Sequence, residues 1–147
     1  MINRILVAID GSATSRRGLD LAAEMAVKFE SELILIYVIR DMQVPDGVRA
    51  LMEADGFQST RLATMEAIGR QILDEFAAAA EAAGAKKVLK DVRPGDPAGA
   101  ILRYSSEHNI DLIVMGSRGL GDVESMLLGS VSRKVANLSR VACLTVK

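Results

Sequence analysis

Tryptophan is absent from this 147-residue chain, and all aromatic residues together make up only 3% of it. Ala, Val, Ile, Leu and Met must therefore fill the interior, which suits small contacts between helices and a sheet. A single cysteine, Cys143, excludes an intrachain disulfide. With one cysteine and one histidine, His108, the usual zinc ligands are missing, and no metal ligands are assigned. The net charge is −1, from 18 basic and 19 acidic residues, so no basic excess points to a nucleic-acid partner. The longest apolar run, Leu33 to Ile39, is far shorter than the roughly 20 residues that cross a bilayer. Met1 to Arg4 leads directly into a strand pattern, without the layout of a signal peptide. Together these features predict a cytoplasmic protein without a membrane partner.

Catalytic signatures are missing as well. No lysine follows a glycine in the P-loop arrangement, and there is no G-x-S-x-G elbow. Gly119-Leu120-Gly121 lacks the third glycine of a dinucleotide fingerprint. No acid and base are paired at a spacing suited to hydrolysis, so no catalytic residue is assigned. His108 reads as a helix-end residue near the last carbonyls, and Cys143 as a buried strand residue.

What is present is alternation. Arg4-Ile5-Leu6-Val7-Ala8-Ile9 is apolar on both faces, as a central parallel strand is. Asp10-Gly11-Ser12 ends it, with Ser12 as N-cap of a helix carrying Leu19, Ala22, Ala23, Ala26 and Val27 to about Glu30. Leu33 to Ile39 is a second buried strand, and Arg40 to Gly47 a loop. Val48 to Ala83 reads as one long helical stretch, interrupted at Gly56. Its second half places Leu62, Met65, Ile72, Leu73, Phe76, Ala80 and Ala83 on one face, and Gly84 stops it. Lys87 to Val92 is a strand with charged ends, suited to a sheet edge. Pro94-Gly95-Asp96-Pro97 reads as a turn, with Asp96 capping and Pro97 opening a helix that ends near Asn109. Strand Asp111 to Met115, helix Ser130 to Leu138 and strand Val141 to Val146 complete the chain.

This β-α-β-α-β-α-β-α-β order predicts a single α/β domain over residues 1–147. Such alternation makes a five-stranded parallel sheet with helices on both faces and right-handed crossovers, and the order 3-2-1-4-5 is expected. The chain order then reverses between the first and fourth strands, where ligands of such sheets bind. Asp10-Gly11-Ser12 and Met115-Gly116-Ser117 end those two strands. Gly116-Ser117-Arg118-Gly119, nine further residues and Gly129-Ser130 lie between the fourth strand and a helix start. Glycines allow close backbone approach, and a first helical turn offers N–H donors and partial positive charge, so the segment is a phosphate-sized cradle.

These residues resemble the universal stress protein family along essentially the whole chain. Gly116, Gly119, Gly129 and Ser130 match its G-x-x-G-x9-G-[ST] spacing. Ile5 to Ser12, Gly95-Asp96-Pro97 and Asp111 to Gly119 are similar to its other motifs. The resemblance implies a small Rossmann-like domain, related to the adenine-nucleotide alpha-hydrolase fold, that dimerises and binds ATP or a related adenine nucleotide such as AMP or ADP. It puts Ala8, Ile9 and Asp10 at the first strand's end, with Asp10 meeting the adenosine. Val38 borders the adenine, and Met115 adjoins the pocket. Gly116, Gly119, Gly129 and Ser130 surround the phosphates, Val131 and Ser132 add first-turn donors, and Arg118 reaches for phosphate. Two features depart from the family pattern. Asp122 and Glu124 stand within the loop and would call for Mg²⁺ if they faced a triphosphate. Leu144, not proline, follows Cys143.

The leading expectation is an adenine-nucleotide-binding regulatory, stress-response protein: a homodimer joined through Val141 to Val146 that changes the surface offered to a protein client. The alternatives are a slow ATPase or phosphotransferase modifying itself on Ser130 or Ser132, and an interaction protein without ligand.

Overall fold

Five strands and five helices follow one another in a computed structural model that describes residues 1–41, 44–120 and 127–147. The strands are β1 (Arg4–Ile9), β2 (Glu32–Arg40), β3 (Val88–Gly95), β4 (Leu112–Gly116) and β5 (Ala142–Val146). The helices are α1 (Ala13–Phe29), α2 (Asp46–Ala54), α3 (Phe57–Ala82), α4 (Pro97–Glu107) and α5 (Ser130–Leu138). All strand pairs are parallel, as the alternation predicts, and the order is the expected β3-β2-β1-β4-β5. The reversal falls between β1 and β4, where Ala8 stands opposite Met115.

Alternating side chains divide the core into two layers. Ile5, Val7, Leu33, Leu35 and Val114 face Leu19, Ala22, Leu73 and Phe76 of α1 and α3. Leu6, Ile34, Ile36, Ile113 and Met115 face Ile101 and Tyr104 of α4 and Val135 of α5. A residue next to the pocket on one layer is therefore backed by a helix from the other.

The local signals act as chemistry requires. Ser12 caps α1 by accepting the N–H of Ser15 at 3.1 Å. Asp96 caps α4 by accepting from Gly99 at 2.9 Å, with Pro97 in the first turn. His108 ends α4, its Nδ1 3.1 Å from the Tyr104 carbonyl and its ring stacked on Tyr104 at 3.9 Å.

Four expectations need correction. The single helix from Val48 to Ala83 is two helices, α2 and α3, because Gly56 takes a left-handed φ of 67° that no helix interior accommodates. The preceding loop is correspondingly shorter, ending where α2 starts at Asp46. Pro94 and Gly95 are the last residues of β3, not a turn. They pair with Ile39 and Arg40 of β2, and an edge strand tolerates proline's missing donor. Finally, Val27, Leu62 and Ala83 are exposed although Ala26, Ala80 and Ala85 nearby are buried, so they lie off the packed faces, and Cys143 is only half-buried on β5.

Candidate functional site

A cavity of about 630 Å³ opens at the C-terminal ends of β1, β2 and β4. That volume lies within the range of about 300–1,000 Å³ typical of small-molecule sites. Ala8, Ile9, Asp10, Val38, Met115, Gly116, Arg118, Gly119, Ser130, Val131 and Ser132 all line it. Thus the fold brings together residues separated by more than a hundred positions. Gly129 is not among the lining residues. It sits at the N-cap of α5 with φ −70° and ψ 171°, a conformation open to any residue. Its N–H is directed at the carbonyl of Ser117, 2.6 Å away.

Two turns form the floor. In the first, the Asp10 carboxylate accepts the N–H of Ser12 at 2.8 Å and holds the chain between β1 and α1. In the second, Ser117 is almost fully buried and anchors the loop after β4 in two directions. Its N–H donates to Val146 on β5 at 2.7 Å. Its carbonyl accepts from Gly129 and from the Ser132 hydroxyl, the latter at 2.9 Å. Ser132 is itself 4% exposed, and its hydroxyl also lies 3.1 Å from the Gly129 carbonyl. This hydroxyl therefore braces the loop that precedes α5.

Gly116 is required by packing. A Cβ there would lie 2.5 Å from the Thr14 hydroxyl oxygen and 2.9 Å from the backbone of Thr14 and Ser15. The first turn of α1 approaches β4 so closely that only glycine fits between them.

The remaining walls come from residues that sequence reasoning did not assign. Tyr37 and Ile39 contribute from β2, Met65 and Arg61 from α3, and Pro97 and Ile101 from α4. Arg61 donates through Nη2 to the carbonyl of Arg40 at 3.2 Å, tying α3 to the end of β2. Tyr37 fits against α3 because position 69 is glycine: a Cβ there would lie 2.6 Å from the ring. One signal for Arg61 was available, since it precedes Met65 by four residues and so shares its helix face. Among the described residues, the charged ones lining the cavity are Asp10 and the arginines 40, 61 and 118, and these favour an anionic guest. Between α5 and the start of α4, Lys134 lies 3.5 Å from Asp96. The Gly99 N–H, and then Lys134, hold the Asp96 carboxyl below its ordinary range.

Asp122 and Glu124 lie outside the described residues, as does most of the segment between Gly119 and Gly129. Among the described residues, no group of three or more His, Cys, Asp or Glu is arranged to hold a metal ion. Among them, too, no helix is long and apolar enough to cross a membrane.

The model of the Universal stress protein family matches residues 1–147. The chain belongs to the universal stress protein family. Universal stress protein YxiE of Bacillus subtilis is 34% identical over 153 residues, with all of both chains covered. A universal stress protein solved in complex with cAMP is 28% identical, with a TM-score of 0.73 over 99% of this chain and 96% of that one. Universal stress protein UspA from Lactobacillus plantarum has a TM-score of 0.87 at 20% identity, covering 99% of this chain and 98% of its own, a likeness of fold. Family membership, the Rossmann-like sheet and a pocket at the strand-order reversal thus agree.

Proposed function

We propose that this universal stress protein binds an adenine nucleotide in the cavity between β1, β2 and β4, with ATP, AMP or ADP as candidate ligands. The observation that carries this reading is the convergence of a glycine-and-serine loop, an α-helix start and three arginines on one cavity that Ile36, Val38, Ile101 and Met115 also line. The first turn of α5 supplies N–H groups that a helix leaves without internal acceptors. Ser130, Val131 and Ser132 belong to that turn and line the cavity. Gly116, Arg118 and Gly119 would complete the phosphate end, with Gly129 shaping it from behind. Asp10 would meet the ribose, while Val38 and Met115, with Ala8 and Ile9 beside them, would flank the base. The relative solved with cAMP supports an adenine nucleotide as guest.

The role is regulatory. Ligand binding at the loop would alter the ties that lead through Ser117 to β5, and with them the surface shown to a protein client. β5 forms one edge of the sheet, with Ala142 exposed and Cys143 to Val146 half-buried, and an uncovered edge accepts another strand. A homodimer through Val141 to Val146 would cover it. Mg²⁺ would be needed where the loop acids face a triphosphate.

The direct test is to denature freshly purified protein and identify any released nucleotide by chromatography and mass. Thermal melting with ATP, AMP and GTP, each with and without Mg²⁺, complements it. A ligand at about a hundred times its Kd stabilises the fold by roughly 2.7 kcal/mol. A clear upward shift in Tm with an adenine nucleotide is expected. Absence of both a released nucleotide and a shift would overturn the reading.

A further inference from the structure

The cavity is lined from both faces of the sheet. Successive residues of a strand point to opposite faces. On β1, Ala8 packs with the layer of α4 and α5, and Ile9 with the layer of α1 and α3. On β2, Val38 packs with the first of these layers and Tyr37 with the second. All four residues line the cavity. It therefore passes over the C-terminal end of the β1–β2 pair, from one face to the other.

The nucleotide reading assigns ligand contacts to the ends of β1 and β4, to Val38 and to the start of α5. Tyr37, Arg61 and Met65 also line the cavity, on the α3 side, and none of them has a ligand role in that reading. We propose that this α3-side part is a second subsite, which takes an aromatic group carried on the ribose of the nucleotide. The proposal rests on the nucleotide-binding reading above.

The subsite is built by one stripe of α3 laid against β2. Arg61, Met65 and Gly69 follow one another at intervals of four, so they share a helix face. Gly69 is where that face meets Tyr37: a Cβ at position 69 would lie 2.6 Å from the ring. The ring is thus held against α3 before any ligand arrives. The Arg61 side chain is held as well, because its Nη2 donates to the Arg40 carbonyl at 3.2 Å. Groups fixed in advance lose little freedom when a guest binds.

The chemistry of the three side chains selects the guest. Tyrosine favours offset or edge-on packing with another ring. A thioether makes favourable contacts with ring edges. A guanidinium is attracted to the face of a ring. Position on the nucleotide follows from the same reading. The base is taken up by Val38 and Met115 and the phosphates by the start of α5. The ribose meets Asp10, which ends β1 and lines the cavity. A substituent on a ribose hydroxyl is then the one that crosses to the α3 side.

Titration of the full chain with AMP and with its fluorescent ribose ester, N-methylanthraniloyl-AMP, tests the proposal. The ester should bind the wild type about tenfold more tightly than AMP, the scale of one or two aromatic contacts. In Met65→Ala that advantage should fall to about threefold or less. In the double variant Tyr37→Leu/Met65→Ala it should fall within about twofold, with AMP itself little changed. An ester no tighter than AMP in the wild type, or an advantage that Met65→Ala leaves intact, would overturn the subsite. So would an equal loss for AMP and the ester. A wild type that binds neither compound would instead overturn the nucleotide reading, and the subsite with it. Should the double variant fail to fold, Met65→Ala alone decides.

Discussion

The backbone N–H of Ser117 donates to the carbonyl of Val146 at 2.7 Å, so the loop that floors the cavity and the end of β5 share a hydrogen bond. Next to it, Arg17 of α1 donates through Nε to the carbonyl of Lys147 at 2.7 Å. The end of the edge strand is thus fastened both to the loop after β4 and to helix α1. If ligand binding stiffens the loop, the Ser117 amide should exchange its proton more slowly in the presence of AMP or ATP. Hydrogen-exchange mass spectrometry on peptides covering Ser117 and β5 checks this. Protection confined to the β1 turn would separate the cavity from the edge.

Self-association through that edge is a second expected outcome. Light scattering across a concentration series should give the mass of a dimer. Ala142 is exposed on β5, and a lysine there places a charge on the strand edge, a common means of blocking edge pairing. Ala142→Lys should raise the dimer Kd by about tenfold or more, a cost of about 1.4 kcal/mol. Unchanged association would assign the contact to another surface.

Gly116→Ala should be destabilising whether or not ligand is present. The added methyl would meet backbone atoms of Thr14 and Ser15 at 2.9 Å, and backbone cannot move aside as a flexible side chain can. Overpacking of this kind costs about 1–3 kcal/mol. Urea denaturation of the ligand-free variant measures it. A loss appearing only with nucleotide bound would show that the glycine serves the ligand and not the packing of α1.

Binding should weaken as salt is added. Among the described residues, arginines 40, 61 and 118 line the cavity together with Asp10, and attraction between partly exposed charges is screened within about 10 Å at 0.1 M salt. Arg61→Gln should raise the Kd for ATP several-fold, on the order of 1 kcal/mol, and reduce the dependence on salt. Titrations at two ionic strengths decide the point, and a salt-independent Kd would argue against an electrostatic role.

Acid should unfold the protein partly through Asp111. Its carboxylate accepts the N–H of Arg4 at 3.0 Å and of Asn3 at 2.8 Å, and these bonds hold its pKa below the ordinary value. A carboxyl with a depressed folded pKa stabilises fully above its unfolded pKa of about 3.9 and loses that contribution as the pH falls through the folded value. Asp96 has a depressed pKa as well, chiefly through the Gly99 N–H. The urea midpoint should therefore drop below about pH 4, and Asp111→Asn should flatten that drop while lowering stability near pH 7. An identical acid profile in the variant would exclude Asp111 as a contributor.

Much of the architecture was legible along the chain. Continuous, β-branched-rich apolar runs such as Leu33 to Ile39 suit strands packed on both faces, and Asp96-Pro97 starts a helix by local chemistry alone. The break at Gly56 was visible as an interruption, but its consequence was not. Whether a glycine bends a helix or separates two depends on its φ, and glycine takes either sign, so the left-handed value at Gly56 is not written in the residue type. The same holds for Pro94 and Gly95, whose residue types favour a turn until pairing with β2 draws them into an extended edge.

The sequence by itself determined the alternation of strands and helices and the small residues that follow β1 and β4. These follow from periodicity and from connection rules that act locally. Only the tertiary structure decided what those residues do. Gly116 makes room for α1, the Gly129 N–H joins Ser117, and Arg61 and Met65 of α3 complete a wall beside β2. Each of these depends on distances between segments far apart in the chain, which spacing along the chain does not contain and which packing of the two core layers fixes.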